Sequence, residues 1–323
     1  MSKLWLVTGG AGFIGCNIVA ELLARGEAVR VLDNLATGLE SNLDEFGSDV
    51  ELVRGDIRDA SAVGEAMRGV THVLHLAALG SVPRSIEDPA TSNEVNVTGT
   101  LNVLTAARDA GVSRVVFSSS SSVYGASQEL PKRVGQPTDP VSPYATTKQA
   151  GESYTRVFWR VYGLPTVALR YFNVFGPKQR PDSAYAAVIP KFMNWALTGE
   201  PLVVHGDGLQ GRDFTYVTNV VSANLLAAEA EGVAGDVFNI ACGSSFTLLD
   251  IAAALEKAVG HPLERQHTPA RAGDVRKSQA DIEPARKALG YQVLVGFEEG
   301  LARTWEAFCA RFGGGAAGQA VRP

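Results

Sequence analysis

The sequence has few of the residues that would indicate a disulfide scaffold or a metal site. Its 323 residues include 3 cysteines, Cys16, Cys242 and Cys309, which lie far apart and show no CxxC spacing. Isolated cysteines of this kind are typical of buried free thiols in a reducing compartment. We therefore expect neither a disulfide framework nor a bound metal.

Long apolar runs and an excess of positive charge are also absent. The chain carries 29 Lys and Arg against 34 Asp and Glu, a formal net charge of −5, so it lacks the basic surface typical of nucleic-acid binding. No stretch reaches the ~18 uninterrupted apolar residues of a membrane-spanning helix. The apolar run at residues 3–8 is too short for a signal peptide and leads directly into a glycine turn. We expect a cytoplasmic protein that binds neither nucleic acid nor membrane.

The first half of the sequence alternates short apolar runs with longer amphipathic stretches. Helices are predicted at residues 14–25 and 93–110. Buried strands are predicted at residues 4–8, 28–32, 50–54, 72–75, 114–117 and 166–170. This alternation is typical of a parallel sheet with helices on both faces. The sequence thus predicts an α/β fold with a Rossmann-type, doubly wound parallel sheet.

The regular alternation ends near residue 173, where prolines and glycines begin to interrupt the chain. We expect a Rossmann domain at 1–173, a smaller α/β substrate-binding lobe at 174–312 and a flexible tail at 313–323. An apolar segment at 233–241 and helices at 248–259 and from 297 to about 311 fall within the second region. A return of later segments to the first domain is left open.

A glycine turn joins the first predicted strand to the first helix. Its sequence, TGGAGFIG at residues 8–15, spaces Gly9, Gly12 and Gly15 as GxxGxxG. Glycines there permit a tight turn and let a pyrophosphate approach the free N–H groups of the helix N-terminus. Asp33 ends the second strand, where a carboxylate accepts hydrogen bonds from ribose hydroxyls and repels a 2′-phosphate. The pair predicts a dinucleotide site with NAD favoured over NADP.

Further along, Tyr144 and Lys148 lie four residues apart in SPYATTK, residues 142–148. Ser142 and Pro143 suit the start of a helix, so the two side chains share one face. Lowering a phenol pKa from about 10 by about 3 units needs roughly 4 kcal/mol, which a neighbouring ammonium and a positive nicotinamide ring together can supply. Because the motif follows a dinucleotide turn, we interpret Tyr144 and Lys148 as catalytic.

Five consecutive serines, residues 118–122, follow the fifth predicted strand. Ligands bind at this edge of open α/β sheets, so a hydroxyl there can donate to a reacting oxygen. A flexible polar loop is the alternative interpretation of a serine run. Asp56 and Ile57 follow the third strand, where a side chain can reach an adenine, although Asp56 alone is more typical of a helix cap.

These motifs resemble those of the extended short-chain dehydrogenase/reductase family, and within it the nucleotide-sugar 4-epimerases. The resemblance spans roughly residues 3–310 and includes HLAA at 75–78, SSSSSVYG at 118–125, YATTK at 144–148, RYFNVFGP at 170–177, GRDFTYV at 211–217 and RAGDVRKSQAD at 271–281. It implies that Tyr144 takes the proton of the sugar 4-hydroxyl while the C4 hydride passes to bound NAD⁺. The 4-keto sugar then turns over and receives the hydride on its other face.

The same resemblance implies a UDP-sugar substrate, a homodimer with helices near 93–110 and 142–162 at its interface, and three sets of site residues. The catalytic set is Tyr144, Lys148 and Ser120. Residues expected to bind NAD are Gly9, Gly12, Phe13, Ile14, Gly15, Asp33, Asn34, Gly38, Asp56, Ile57, Leu76, Ala77, Ala78, Asn96, Tyr144 and Lys148. Residues expected to bind substrate are Ser81, Ser120, Ser121, Ser122, Tyr144, Asn173, Val188, Arg212, Arg271, Asp274 and Ser278. His205 is expected to be at most a neighbour of the uridine.

Within the family, the residues after Ser120 distinguish the reactions. Sugar 4,6-dehydratases carry an Asp-Glu pair there, and sugar-acid decarboxylases a Glu two places on, whereas this chain has Ser121 and Ser122. Without a second acid or base, epimerisation is the reaction that remains.

Two features bear on the sugar. The loop ALGSVPRS at 78–85 resembles that of bacterial epimerases preferring UDP-N-acetylglucosamine, and Ser278 is small at the family's gatekeeper position. A small residue leaves space for an acetamido group but does not reject a smaller hexose. A UDP-glucose or UDP-glucuronate 4-epimerase therefore remains an alternative, and a non-catalytic NAD sensor is an alternative of another class.

Overall fold

The computed structural model describes residues 3–181, 187–270 and 276–313. Its strands are β1 (Leu4–Thr8), β2 (Ala28–Asp33), β3 (Val50–Arg54), β4 (His72–His75), β5 (Arg114–Ser120), β6 (Thr166–Tyr171), β7 (Val174–Phe175), β8 (Leu202–His205), β9 (Gly211–Arg212), β10 (Thr215–Tyr216), β11 (Val237–Ile240), β12 (Phe246–Thr247) and β13 (Arg265–Thr268). Its α-helices are α1 (Phe13–Ala24), α2 (Ala60–Ala66), α3 (Val82–Glu87), α4 (Pro89–Asn93), α5 (Gly99–Asp109), α6 (Pro143–Tyr162), α7 (Val188–Thr198), α8 (Val217–Glu229), α9 (Leu248–Val259), α10 (Glu283–Leu289) and α11 (Phe297–Phe312). A π-helical turn, Glu94–Thr98, joins α4 to α5, and 3₁₀ turns occupy Glu40–Asn42, Asp44–Asp49 and Ser121–Tyr124.

Seven of these strands form one parallel sheet in the order β11-β6-β5-β4-β1-β2-β3. Its strands are apolar because helices cover both faces, and all six residues of β6 are buried. The predicted Rossmann-type fold is confirmed. The strand order reverses between β1 and β4, whose last residues Thr8 and His75 are paired in register. In doubly wound sheets, a ligand crevice opens at this point.

One segment from beyond residue 173 returns to the sheet. Val237–Ile240 pairs with β6 in parallel, and all four of its residues are buried. Adding a strand here covers an apolar edge that would otherwise present unpaired backbone groups. The segment that we assigned to the second lobe is therefore an edge strand of the main sheet, while the domain boundaries themselves stay a prediction.

The serine run does not form the flexible polar loop that was the alternative interpretation. Ser118–Ser120 are the last residues of β5 and pair with Leu169–Tyr171 of β6. Residues 121–124 then form a single 3₁₀ turn that ends the strand. The first three serines therefore belong to the sheet and the last two to the turn at its carboxyl edge.

Two further expectations concern the surface. Cys16 is buried as predicted, but Cys242 and Cys309 are only partly buried. Helix α6, part of the predicted homodimer interface, exposes Val161 and Tyr162; the homodimer itself stays a prediction. Among the helices in the described ranges, none has the length and apolar character to cross a membrane.

Candidate active site

The glycine turn forms the floor of a cleft at the sheet's switch point. Gly9 adopts φ +73°, and its N–H donates to the Leu32 carbonyl at 2.8 Å. A Cβ on Gly15 would lie 2.2 Å from the Gly9 carbonyl oxygen, so the first turn of α1 packs directly on the glycine turn. Gly12 precedes α1 and provides no side-chain cap. The first N–H groups of α1 are therefore available to an anion.

Asp33 ties this turn to the second strand. Its Oδ2 accepts the Ala11 N–H at 3.0 Å and its Oδ1 accepts the Leu35 N–H at 2.8 Å. Each carboxylate oxygen thus keeps a lone pair for a ligand hydroxyl. This geometry fits a ribose, and its negative charge disfavours a 2′-phosphate.

The cleft has a volume of about 580 Å³. Most residues predicted to bind a dinucleotide lie in its wall: Gly9, Gly12, Phe13, Ile14, Gly15, Asp33, Asn34, Gly38, Ile57, Leu76, Ala77 and Ala78. Ser81, predicted at the substrate, also lies in this wall and caps α3 by accepting the Arg84 N–H. Sequence reasoning missed Lys178, Gln179 and Arg180, which line the cleft although they come from beyond the predicted first domain.

Asp56 and Asn96 lie behind the wall instead of in it. The Asp56 carboxylate bonds with the Arg58 guanidinium at 2.7 Å and with the Asn34 amide at 2.9 Å, and the Arg58 bonds hold the pKa of Asp56 well below its usual range. Asn96 is buried, and its side chain bonds with both backbone groups of Leu79 and with Thr147. The two residues therefore support the cleft, and Asn96 joins its wall at Leu79 to α6 at Thr147.

The predicted catalytic residues come together at the carboxyl end of β5. Helix α6 begins as predicted, with Ser142 Oγ accepting the Ala145 N–H. The Ser120 hydroxyl lies close enough to the Tyr144 phenol to act on its pKa. Lys148 Nζ donates to the Ser118 carbonyl at 2.7 Å and lies 6.0 Å from the centre of the Tyr144 ring.

Burial dominates the electrostatics of this pair. Burial raises the pKa of Tyr144, and the nearby Ser120 hydroxyl opposes that rise. Burial also lowers the pKa of Lys148 to about 8, while the negative charge of Glu152 opposes the fall. The lowering of the phenol pKa by the ammonium and the nicotinamide ring together stays a prediction. A further positive charge in the cleft is needed to favour the phenolate.

The other serines have distinct partners. Ser119 donates to the buried Glu152 carboxylate at 2.5 Å, and Ser122 N–H donates to Ser120 Oγ at 3.1 Å. The Ser122 hydroxyl is buried and has no hydrogen-bond partner within the described part of the chain.

A second cavity of about 480 Å³ lies beside the cleft, and Gln179 lines both. Of the residues predicted to bind substrate, Asn173, Val188 and Arg212 line it, and so does His205. Ser278 does not line it: its N–H donates to the Gly211 carbonyl at 3.0 Å, and its hydroxyl lies 3.5 Å from the Asp213 nitrogen. Arg271 and Asp274 lie outside the described residues.

The close contact at Gly15 gives a direct test of the cleft. We expect Gly15→Ala to weaken NAD binding more than 10-fold, because the new Cβ would overlap the Gly9 carbonyl and displace the turn. Gly64→Ala is the matched control, since Gly64 lies in helix α2 and an added Cβ there would have nothing within 4 Å. Titration of NAD into the purified apoprotein measures both. Equal affinity in the two variants would contradict the assignment of this turn.

Comparison with known proteins agrees with this geometry. Residues 5–241 match the model of the NAD dependent epimerase/dehydratase family. The chain is 40% identical over 307 residues to a UDP-glucose 4-epimerase of Mycolicibacterium smegmatis, covering 94% of this chain and 97% of that one. Among solved structures, the UDP-N-acetylglucosamine 4-epimerase of Methanobrevibacter ruminantium, in complex with UDP-N-acetylmuramic acid, is 37% identical with a TM-score of 0.92, covering 96% and 99%. The Thermus thermophilus UDP-glucose 4-epimerase in complex with NAD is 39% identical with a TM-score of 0.86, covering 95% and 99%.

Proposed function

The chain belongs to the NAD dependent epimerase/dehydratase family, and we propose that it interconverts the C4 epimers of UDP-N-acetylglucosamine. At the coarser level it is an NAD-dependent UDP-sugar 4-epimerase, like the relatives it matches over nearly its full length. The observation that carries the proposal is the grouping of Tyr144, Lys148 and the end of β5 at Ser118–Ser120, with no carboxylate at Ser121 or Ser122.

The cofactor cleft suits NAD in three respects. The N–H groups that begin α1 suit the pyrophosphate, the Asp33 carboxylate suits a ribose, and the apolar residues Leu76, Ala77 and Ala78 suit a planar ring. When bound, NAD⁺ supplies the two-electron acceptor for oxidation at the sugar C4. It also brings a positive charge to the neighbourhood of Tyr144.

In the proposed reaction, Tyr144 accepts the proton of the sugar 4-hydroxyl through its phenolate oxygen. Lys148 stabilises the phenolate electrostatically in a buried, low-dielectric setting. Ser120, whose hydroxyl lies near the phenol, is proposed to donate a hydrogen bond to the reacting oxygen. After the C4 ketone has turned over, Tyr144 returns the proton to its oxygen, so the enzyme ends each cycle unchanged.

The alternative reactions of this family need a further acid or base. The nearest buried carboxylate on the catalytic helix is Glu152, and both of its oxygens bond with Arg170, at 2.8 and 2.7 Å. Because Glu152 also accepts a hydrogen bond from Ser119, it is not available to take a proton from a sugar carbon. This supports epimerisation over dehydration or decarboxylation.

For the nucleotide, we propose that Asn173, Val188 and Arg212 hold the UDP portion in the second cavity. The roles of Arg271 and Asp274, which lie outside the described residues, are proposed from the family resemblance alone. The cavity combines a guanidinium with apolar and aromatic walls, as a diphosphate joined to a base requires. The preference for an N-acetylated sugar rests on the family resemblance, which places the small Ser278 at the gatekeeper position, because Ser278 itself does not line the second cavity. The 40% identical relative named as a UDP-glucose 4-epimerase favours UDP-glucose as the second candidate.

Separate incubations with UDP-N-acetylglucosamine, UDP-glucose and UDP-glucuronate test the substrate. We expect the highest kcat/KM with the N-acetylated sugar. Ser278→Tyr is expected to lower kcat/KM for that sugar at least 10-fold more than for UDP-glucose, because added bulk excludes the acetamido group. Ser278→Ala, which adds no bulk, is the control, and its kcat/KM values should rank the three UDP-sugars as the original enzyme does. Turnover of a non-acetylated sugar alone would overturn the substrate assignment.

A further inference from the structure

A buried ion pair lies directly behind the catalytic residues. Arg170 of β6 donates to both oxygens of Glu152 on α6, at 2.8 and 2.7 Å, and the two side chains are only 5% and 7% exposed. Burying two charges costs free energy that their attraction only partly offsets, so such a pair is weak evidence of a purely stabilising role. Its position behind the catalytic residues points to a role in the active site.

Glu152 is linked to the catalytic set through both α6 and β5. On α6, Tyr144, Lys148 and Glu152 follow one another at four-residue intervals, so they lie on one face at successive turns. On β5, Glu152 accepts the Ser119 hydroxyl at 2.5 Å. Ser119 lies between Ser118, whose carbonyl accepts from Lys148, and Ser120, whose hydroxyl lies near the Tyr144 phenol. The carboxylate therefore joins the helix that carries the ammonium to the strand that carries the hydroxyl.

Resting on the proposed function, we propose that Glu152, held by Arg170, is a positioning residue. Its negative charge keeps Lys148 in the ammonium form, and its bond with Ser119 fixes the end of β5 that orients Lys148 and Ser120. Glu152 does not touch the substrate; it acts through Lys148 and the strand.

The surroundings of Lys148 support an electrostatic role. Its Nζ faces the Phe117 ring at 5.1 Å and the Ser118 carbonyl from β5, and the Tyr144 phenol from its own helix. His75 approaches from β4, where burial lowers its pKa to about 3 and leaves it neutral. Of the charged groups facing Lys148 in the described ranges, Glu152 is the negative one, and it opposes the effect of burial on the Lys148 pKa. Arg170, which bonds with both Glu152 oxygens, carries the opposite charge and is expected to offset part of that effect.

The charge arrangement predicts an order among variants. Glu152→Gln removes the attraction and leaves the Arg170 charge unpaired, so the pKa of Lys148 should fall by about 1 unit. The double variant Glu152→Gln/Arg170→Met removes both charges, so the pKa should fall by less. Glu65→Gln, an exposed change on α2, should leave it unmoved. A merely structural role would not place the double variant between the single variant and the original enzyme.

Two measurements on the NAD-bound enzyme test this order. Lysine Cε NMR shifts of ¹³C-lysine-labelled protein, with Lys148 assigned through Lys148→Arg, report its titration without any substrate. The alkaline limb of the pH profile of kcat/KM should move to lower pH by as much as the pKa of Lys148 falls. The shift should therefore be larger in Glu152→Gln than in the double variant. Glu152→Gln leaves the Arg170 charge buried and unpaired and could fail to fold. The double variant leaves no unpaired buried charge, so its Lys148 titration can then be compared directly with that of the original enzyme.

The Lys148 titration tests the positioning role of Glu152, whereas UDP-sugar turnover tests the proposed function. If the Lys148 titration is the same in both Glu152 variants as in the original enzyme, the positioning role is overturned, even where UDP-sugar turnover persists. If the titration shifts in the expected order but no UDP-sugar is epimerised, the positioning role stands and the proposed function fails.

Discussion

Tyr144→Phe is expected to lower kcat for epimerisation by about 10²- to 10⁴-fold, the range typical of losing a general acid–base group. The phenol oxygen is the atom proposed to exchange a proton with the sugar, and Phe keeps the ring but removes that oxygen. Tyr144 is held at its backbone as well, since its N–H donates to Ser85 Oγ at 3.0 Å. The ring should therefore stay in place, and UDP-sugar affinity should change only a few-fold.

The measurement combines initial rates with titration of a UDP-sugar into the NAD-bound variant. Tyr162→Phe is the matched control, because Tyr162 ends the same helix and is 51% exposed. It should retain full activity. An unchanged kcat in Tyr144→Phe would contradict the assignment of Tyr144 as the group that exchanges the proton. A loss of UDP-sugar affinity as large as the loss of kcat would mean that the phenol mainly binds the substrate.

Much of the fold was predictable because its strands are strongly patterned. Leu4–Thr8, Val50–Arg54 and His72–His75 begin and end where the apolar runs do. Ser118–Ser120 did not look like strand because serine is a weak strand former. Here, pairing with Leu169–Tyr171 decides the conformation. Val237–Ile240 was found as an apolar run, but a four-residue run does not reveal its partner.

In the candidate site, too, some features could be predicted from the sequence and others could not. Local motifs identified Tyr144, Lys148 and the glycine turn, because each is a pattern of a few consecutive residues. Contacts between distant parts of the chain were not foreseeable: Asn96 bonds with Thr147, Glu152 with Arg170, and Gln179 lines both cavities. These contacts depend on which elements the fold places side by side. A family motif therefore predicts which residues are present at a site, whereas their partners require the structure.

Asp213→Ala is expected to lower the free energy of unfolding by about 3–5 kcal/mol. Asp213 is fully buried, and its carboxylate accepts N–H groups from Cys242 at 2.9 Å, Gly243 at 3.0 Å and Ala280 at 3.1 Å. It thus joins the loop between β9 and β10 to two other segments that are distant in sequence. Removing the carboxylate leaves three buried donors unpaired, and chemical denaturation measures the loss.

Asp213→Asn separates the hydrogen bonds from the loss of volume. Oδ2 accepts from Gly243 and Ala280, whereas Oδ1 accepts from Cys242 alone. An amide oxygen can keep the first two bonds, but the NH₂ group then faces the Cys242 N–H. We expect a smaller loss of about 1–3 kcal/mol. Asp207→Ala, at an exposed site in the same region, should change stability by less than about 1 kcal/mol.

These stability changes should extend to substrate binding. Ser278 lies against Asp213, with its hydroxyl 3.5 Å from the Asp213 nitrogen, and Ala280 is bonded to the Asp213 carboxylate. Asp213→Asn is therefore expected to raise KM for the UDP-sugar, whereas NAD affinity, which depends on the glycine turn, should not change. If both variants unfolded like the original protein, the three N–H groups would have other partners in solution. If NAD affinity fell together with sugar affinity, Asp213 would support the whole sheet and not the substrate side alone.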